Sequence, residues 1–395
     1  MRWTPRRTAA EEKVASKLRA ASKLYRFLWE IREELFADGF EEELISSYKP
    51  RGQDPCPPAL LAMVMLLQRY DGLSDADAVD AAENDRRWQL VLGTLGSERA
   101  PFGQGSLVRF RMRAIAHDLD RKLVDRTVAI AKKTGSFGWQ KLRVALDSSP
   151  LHGVGRVEDT WNLIGRAMSK VVHSISIAMD LDEETVIKSA GLTLLAADSI
   201  KAAADIDWDD EDAQTAGLQK LLAQVDALER WVAKRAGKQA EVPPLRDVLE
   251  VLRKVVDQDI EPDPSGGSRR IKEEVSKERI ISLADPEMRH GRKSKTKLFN
   301  GYKRHIAIAN DLILATAVAP ANVPEHAAAP RLLEAAEAHG NIEILDIDRG
   351  YLASPAVEKL YRQGATIHSK AWAPSNRGLF TKNDFQITNR YYDLL

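Results

Sequence analysis

Two aspartates stand where strands should end. Leu142, Val144 and Leu146 alternate with Arg143, Ala145 and Asp147, the period-2 pattern of a strand, and Ser149-Pro150 is expected to break it just after the acid. Ile342 to Asp348 (IEILDID) repeats the design and runs into Arg349-Gly350-Tyr351, where glycine permits a sharp turn. Side by side in one sheet, the carboxylates of Asp147 and Asp348 could hold hard divalent cations, which take oxygen ligands, and a metal pair of that kind serves phosphoryl transfer. Asp346, two residues earlier on the same strand face, is the alternative to Asp348.

Basic residues form a second chemical pattern. Between Pro286 and Arg304 lie Arg289, Arg292, Lys293, Lys295, Lys297, Lys303 and Arg304, against Glu287 alone. Such a strip suits the backbone of a nucleic acid. Arg109, Arg111 and Arg113 fall in the first turns of a helix expected to start at Ser106, where side chains and free backbone N–H groups favour an anion. Taken alone, three arginines read more simply as a solvated face. Asp205, Asp207 and Asp209 imitate the start of a calcium loop, but Asp210 stands where that loop needs glycine and Ala216 where it needs glutamate, so they read as an acidic helix terminus.

The whole chain bounds these readings. Its 395 residues, 44% hydrophobic and 29% charged, suffice for two or three domains with real cores. Lysine plus arginine (58) cancels aspartate plus glutamate (58), so what matters is segregation: the basic strip persists while Asp205 to Asp212 carries acids only. Cys56, the single cysteine, excludes an internal disulfide and a cysteine-held zinc or iron–sulfur centre. No apolar run follows the basic N-terminus and none is long enough to span a bilayer, which leads to the expectation of a cytoplasmic protein without a membrane partner.

The elements that must position these groups can be read in order. Residues 11–48 look helical, with Leu24, Phe27, Leu28, Ile31 and Leu35 on one face. Pro58 opens a helix that Asp71-Gly72 stops, and Ser74, with Asp77 three residues on, caps the next, a helix-turn-helix arrangement. After the first strand, Trp161, Ile164, Met168, Val171 and Ile175 keep helical spacing, and helical signals persist to the turn-rich Glu261–Ser268. Strand signals return at Arg279–Ala284 and in a hairpin around Asn310-Asp311. A helix from about Glu325, which Pro330 should shorten, leads to the Asp348 strand. A helix from Ser354-Pro355 to Gly364 and a short strand at Thr366–Ser369 follow, while Ala373 to Leu395 shows no helical period.

Word-length stretches also carry a resemblance. PPALLAMVMLLQRYDGLSDADAVDAAENDRRWQLVLG, LDSSPLHGVGRVEDTWNLIGRA, DPEMRHGRKSKTKLFNGYKRH, APANVPEH and DRGY, in this order from about Tyr25 to Phe385, make the chain resemble DDE transposases of bacterial insertion sequences. The resemblance implies a mixed α/β fold: a ribonuclease H-like sheet interrupted by a helical insertion at about 157–262, after an all-α N-terminal domain of the helix-turn-helix type. The expected domains are 1–135, binding DNA, and 136–395, catalytic. Asp147 matches the family's first catalytic aspartate. Asp348, directly before Arg-Gly-Tyr, matches the second and is preferred to Asp346. Two Mg2+ or Mn2+ ions, DNA as transposon terminal repeats and target, and a homo-oligomer on the ends are implied, with nicking followed by 3′-hydroxyl attack on target DNA.

One departure bears on activity. The family implies a third acid, a glutamate on a later helix, and no glutamate follows Phe385; Glu358, ten residues after Asp348, comes too early and reads as a surface residue. The chain is therefore expected to be truncated at its C-terminus and defective alone. The alternative is a non-catalytic DNA-binding remnant that occupies transposon ends or inhibits the intact enzyme. A metal-dependent phosphohydrolase unrelated to transposition would explain the aspartates but neither the helix-turn-helix nor the basic strip.

Overall fold

The computed structural model describes residues 2–3, 5, 7–19, 22–37, 39–48, 56–133, 141–197, 199–264, 266–294 and 296–370. The chain divides into two compact units: Met1–Leu146 with Ile306–Thr316 and Pro330–Leu395, and Asp147–His305 with Ala317–Ala329. Three strands, β1 (Lys141–His152), β5 (Leu298–Ala309) and β6 (Leu312–Pro320), each run from one unit into the other.

The first unit begins with helices α1 (Ala9–Ser16), α2 (Lys23–Leu35), α3 (Phe40–Ser46), α4 (Pro58–Asp71), α5 (Asp75–Asn84), α6 (Arg86–Leu92), α7 (Gln104–Ala116) and α8 (Leu119–Lys133). The helical stretch expected over 11–48 is thus three helices, the third entered through Gly39 at a φ of 86°, which a side chain would resist. Pro58 occupies the first turn of α4, and Ser74 and Asp77 form the capping box of α5, as their spacing predicts. Leu28, Leu61, Val64, Leu67, Trp88 and Phe110 lie in one buried core. Within it Arg32 reaches Glu11 at 2.9 Å, the two side chains 0% and 3% exposed. Trp29 Nε1 donates to the same carboxylate, and Arg32 also donates to the Leu90 carbonyl, so the buried charges are hydrogen-bonded as well as paired.

In the same unit β1 lies parallel to β7 (Asn341–Ile347), and β7 is parallel to β8 (Thr366–Ser369). Helix α15 (Pro355–Arg362) connects the last two, as a parallel crossover requires. Helix α14 (Ala329–Glu337) precedes β7; Pro330 falls in its first turn, where a missing N–H costs little, and does not interrupt it.

The second unit holds helices α9 (Thr160–Met179), α10 (Glu183–Ala190), α11 (Ile200–Ala204), α12 (Glu211–Arg235) and α13 (Leu245–Asp259). The α9 residues Trp161, Ile164, Met168, Val171 and Ile175 are buried with Leu221, Leu228 and Leu252. Gly165 on α9 is required by packing, because a Cβ there would lie 2.0 Å from Ile200 Cγ1. Asp210 caps α12 and Asp205 ends α11 with a φ of 45°, so the acidic run is a pair of helix termini. Two short strands, β2 (Ile260–Pro262) and β3 (Arg269–Ile271), form a separate antiparallel pair, and β4 (Arg289–Arg292) pairs antiparallel with β5. The larger sheet is mixed, in the order β4-β5-β1-β7-β8 with β6 alongside β5. Asn310 and Asp311, both with positive φ, make the β5–β6 hairpin turn.

Two strand expectations need correction. β1 does not stop at Ser149-Pro150 but extends to His152. A proline removes one donor, yet pairing resumes beyond it, with the Gly153 N–H donating to the Asn300 carbonyl at 3.1 Å. Arg279–Ala284 is not a strand. Its alternating Ile280, Ile281 and Leu283 are buried, but the Gln258 side-chain amide both donates to and accepts from the Ile280 backbone, doing what a neighbouring strand would do. Among the described residues no helix is long and apolar enough to cross a membrane.

Candidate active site

Within the first unit, Leu146 on β1 stands opposite Ile347 on β7 in parallel register. The next residue along β1 is Asp147 and the next after β7 is Asp348. Each acid is exposed, whereas Leu146 and Ile347 are buried, as strand alternation demands. Asp147 Oδ1 accepts the backbone N–H of Ser148 at 2.7 Å. Asp348 opens a 3-10 turn, Arg349–Tyr351, without a side-chain cap bond, and Tyr351 is buried beneath that turn.

Asp346 is in a different state. Arg143 grips it through Nε to Oδ2 at 2.7 Å and Nη2 to Oδ1 at 3.1 Å, and His368 Nδ1 lies 3.0 Å from Oδ1. The Arg143 guanidinium, more than the histidine, holds this carboxyl below the usual carboxylate range. Neither Asp147 nor Asp348 has an ion pair among the described residues. Each is an exposed carboxylate of a type that suits a hard divalent cation, Asp147 within β1 and Asp348 just after β7, whereas Asp346 fits less well because its oxygens are already occupied. Among the described residues, no group of three or more His, Cys, Asp and Glu side chains is arranged to hold a metal ion.

In the second unit the strand around Asp147 is closely supported. Gly301 on β5 has a φ of 141°, and a Cβ there would lie 2.3 Å from Gly153 N, so only glycine lets β5 approach β1 this closely. The Val154 N–H donates to Asp285 Oδ2 at 3.2 Å, and the Tyr302 hydroxyl donates to Asp285 Oδ1. Burial, then the hydrogen bond to Asp285, pushes the Tyr302 phenol up to about 12. Ser148 Oγ donates to Glu325 Oε1 at 2.6 Å, a partner 177 residues away that sequence spacing gave no reason to connect.

The basic residues fall into two groups. Arg292, Lys293 and Lys297 are exposed at the β4–β5 turn, with the Lys293 N–H bonded to the Lys297 carbonyl. Lys295 lies outside the described residues. Arg304 is exposed and donates to Ser149 Oγ through Nε and Nη2, at 3.2 and 3.1 Å. Lys303 instead is half-buried and donates Nζ to the Val323 carbonyl at 3.1 Å. On α7, Arg109 is exposed and the Arg113 guanidinium lies 4.2 Å from the Tyr48 ring centroid. Arg111 pairs with Asp75 on α5 and reaches Gln68 on α4, holding three helices together. The tail from Ala373 lies outside the described residues.

Comparison with known families finds two matches. Residues 16–113 match a transposase domain (DUF772), and residues 272–390 match a transposase DDE domain. No curated protein and no solved structure matches the chain.

Proposed function

We propose a function from one premise: the chain belongs to the DDE transposases of insertion sequences. A family of DNA phosphoryl-transfer enzymes implies a DNA substrate. On our reading the chain binds the terminal repeats of its element, nicks them, and joins the freed 3′ ends to target DNA. Asp147 and Asp348 are the carboxylates we assign to catalysis and to holding two divalent cations, Mg2+ or Mn2+. Bound there, such a pair would activate the attacking oxygen and stabilise the leaving one in an in-line displacement.

The observation that carries this assignment is the Leu146–Ile347 register, with an aspartate next along each strand. Ligand-binding groups of parallel strands collect beyond their carboxyl ends; Asp348 follows the end of β7, and Asp147 follows Leu146, the last β1 residue in register with β7. The order β5-β1-β7-β8 supports reading the sheet as ribonuclease H-like, with the α9–α13 block as an insertion of about 157–262 in a catalytic domain of 136–395. Residues 1–135 would form the DNA-binding domain, α4 and α5 its helix-turn-helix.

For the DNA backbone we assign the exposed Arg109, Arg292, Lys293, Lys297 and Arg304 first, with Lys295 and Arg113. Arg111 and Lys303 hold protein groups, and a direct contact by either requires them to exchange partners. A homo-oligomer on the ends completes the proposal, since two ends must be cut and joined together. The second reading is a protein that binds ends without catalysis. Incubating a labelled terminal-repeat duplex with plasmid separates them: metal-dependent joining identifies the transposase, and binding without joining identifies the second reading.

A further inference from the structure

We propose that the outward face of α7 reads base sequence in the major groove of duplex DNA, and that α7, not α5, is the recognition helix of the N-terminal helices. This rests on the reading of the chain as a binder of its terminal repeats. Val108, Met112 and Ile115 stand at i, i+4 and i+7 on α7, and they are 46%, 68% and 77% exposed. The opposite face of the helix, Leu107, Phe110 and Ala114, is buried in the core that holds Leu61, Val64 and Trp88. α7 is thus apolar on both faces, and packing within the chain accounts for one of them only.

Charge selects the occupant. α7 carries Arg109, Arg111 and Arg113 and no acidic residue. Arg109 is exposed and has no carboxylate partner among the described residues. A Cβ at Gly105 would lie 3.3 Å from Arg109 Nη1, so the guanidinium lies along the first turn of the helix. An apolar stripe edged by a cation suits the major groove, which admits an α-helix between phosphate walls and displays thymine methyl groups. α5, the second helix of the α4–α5 pair, has the opposite character. It carries Asp75, Asp77, Asp80 and Glu83 without a lysine or arginine, and Asp77 and Asp80 are exposed. Phosphates would repel that face. Arg111 instead ties α7 to Asp75 on α5 and to Gln68 on α4, so those two helices support α7.

A second copy of the chain is the rival occupant. Stable protein interfaces take roughly 20–30 residues a side, and three side chains of one helix fall far short of that. In a DNA groove a few side chains suffice, because contacts to phosphates hold the register while contacts to base edges specify the sequence. The two kinds of contact also leave different signatures. Apolar contact with a thymine methyl discriminates between sequences without releasing counterions, whereas an arginine on a phosphate gives salt-dependent affinity for any duplex.

The test measures binding of the full chain to two duplexes of equal length, one carrying the terminal repeat and one a scrambled sequence. The wild type is compared with a triple variant, Val108→Ser, Met112→Ser and Ile115→Ser. Since all three side chains are exposed, thermal unfolding should be unchanged. The triple variant should lose the preference for the repeat by about tenfold or more, while its affinity for the scrambled duplex should fall far less and its salt slope should stay the same. A third duplex, with deoxyuridine replacing the thymines of the repeat, removes the methyl groups and needs no variant; the wild type should bind it more weakly than the repeat. An unchanged preference in the triple variant, or a wild type indifferent to the methyl groups, would overturn the proposal. An unchanged preference with a smaller sedimenting mass would assign the face to contact between copies instead. A wild type that bound both natural duplexes equally would overturn the reading of the chain as a terminal-repeat binder, and the proposal with it.

Discussion

Arg143 holds Asp346 through two nitrogens, at 2.7 and 3.1 Å, and so sets it apart from Asp348, the residue after β7. The carboxylate at 346 balances a guanidinium; among the described residues the one at 348 has no ion pair. In single-turnover cleavage of a labelled duplex, Asp348→Asn should lose at least about a hundredfold in rate, as expected for removal of a metal ligand, whereas Asp346→Asn should lose far less. The reverse order would make Asp346 the working acid and Arg143 its positioning partner.

Binding to DNA should weaken steeply with salt, because each neutralised phosphate releases counterions. Lys293 and Lys297, both exposed at the β4–β5 turn, should each lower the slope of log affinity against log salt by about one when replaced by alanine. Filter binding across a salt series measures this. An unchanged slope in the double variant would make the turn a solvated surface only.

The Glu11–Arg32 pair is buried, so breaking it from one side should cost far more than an exposed pair would. Arg32→Met leaves the Glu11 carboxylate buried without its partner, and chemical denaturation should report a loss of about 3–5 kcal/mol. Adding Glu11→Leu should restore much of it, since the second change removes the stranded charge. If the double variant were no more stable than the single one, packing and not charge would explain the loss.

Tyr302 gives a pH dependence whose sign can be worked out. Its phenol is pushed up to about 12 by burial and by its bond to Asp285, against about 10 in an unfolded chain. The raised value favours the neutral, folded form. This contribution is complete below pH 10 and is lost as pH rises towards 12. Stability followed by fluorescence should therefore fall over that window, and Tyr302→Phe should flatten that part of the profile. A profile identical in wild type and variant would remove Tyr302 from the account.

Local signals in the sequence foretold local structure. The α9 stripe, the Ser74 cap, the Asn310-Asp311 hairpin, the alternation of β1 up to Asp147 and the end of β7 before Asp348 all follow from periods or turn chemistry within a few residues. What remained hidden depends on distant partners. Nothing near Arg111 announces Asp75, nothing near Ser148 announces Glu325, and the apolar alternation of Ile280 to Leu283 looks like a strand until Gln258 is seen to satisfy its backbone. Pro150 misled for the same reason: its missing donor argues for a break, while the pairing of Gly153 with Asn300 continues beyond it.

The central claim is that Asp147 and Asp348 together carry out metal-dependent DNA cleavage and joining. The most direct measurement is transfer of a labelled terminal-repeat duplex into plasmid DNA with Mg2+ or Mn2+, comparing the wild type with Asp147→Ala and Asp348→Ala at matched DNA occupancy. The account predicts joined product that requires the metal and disappears in both variants while DNA binding persists. Joining that survives either substitution, or no joining by the wild type under full DNA occupancy, would contradict it.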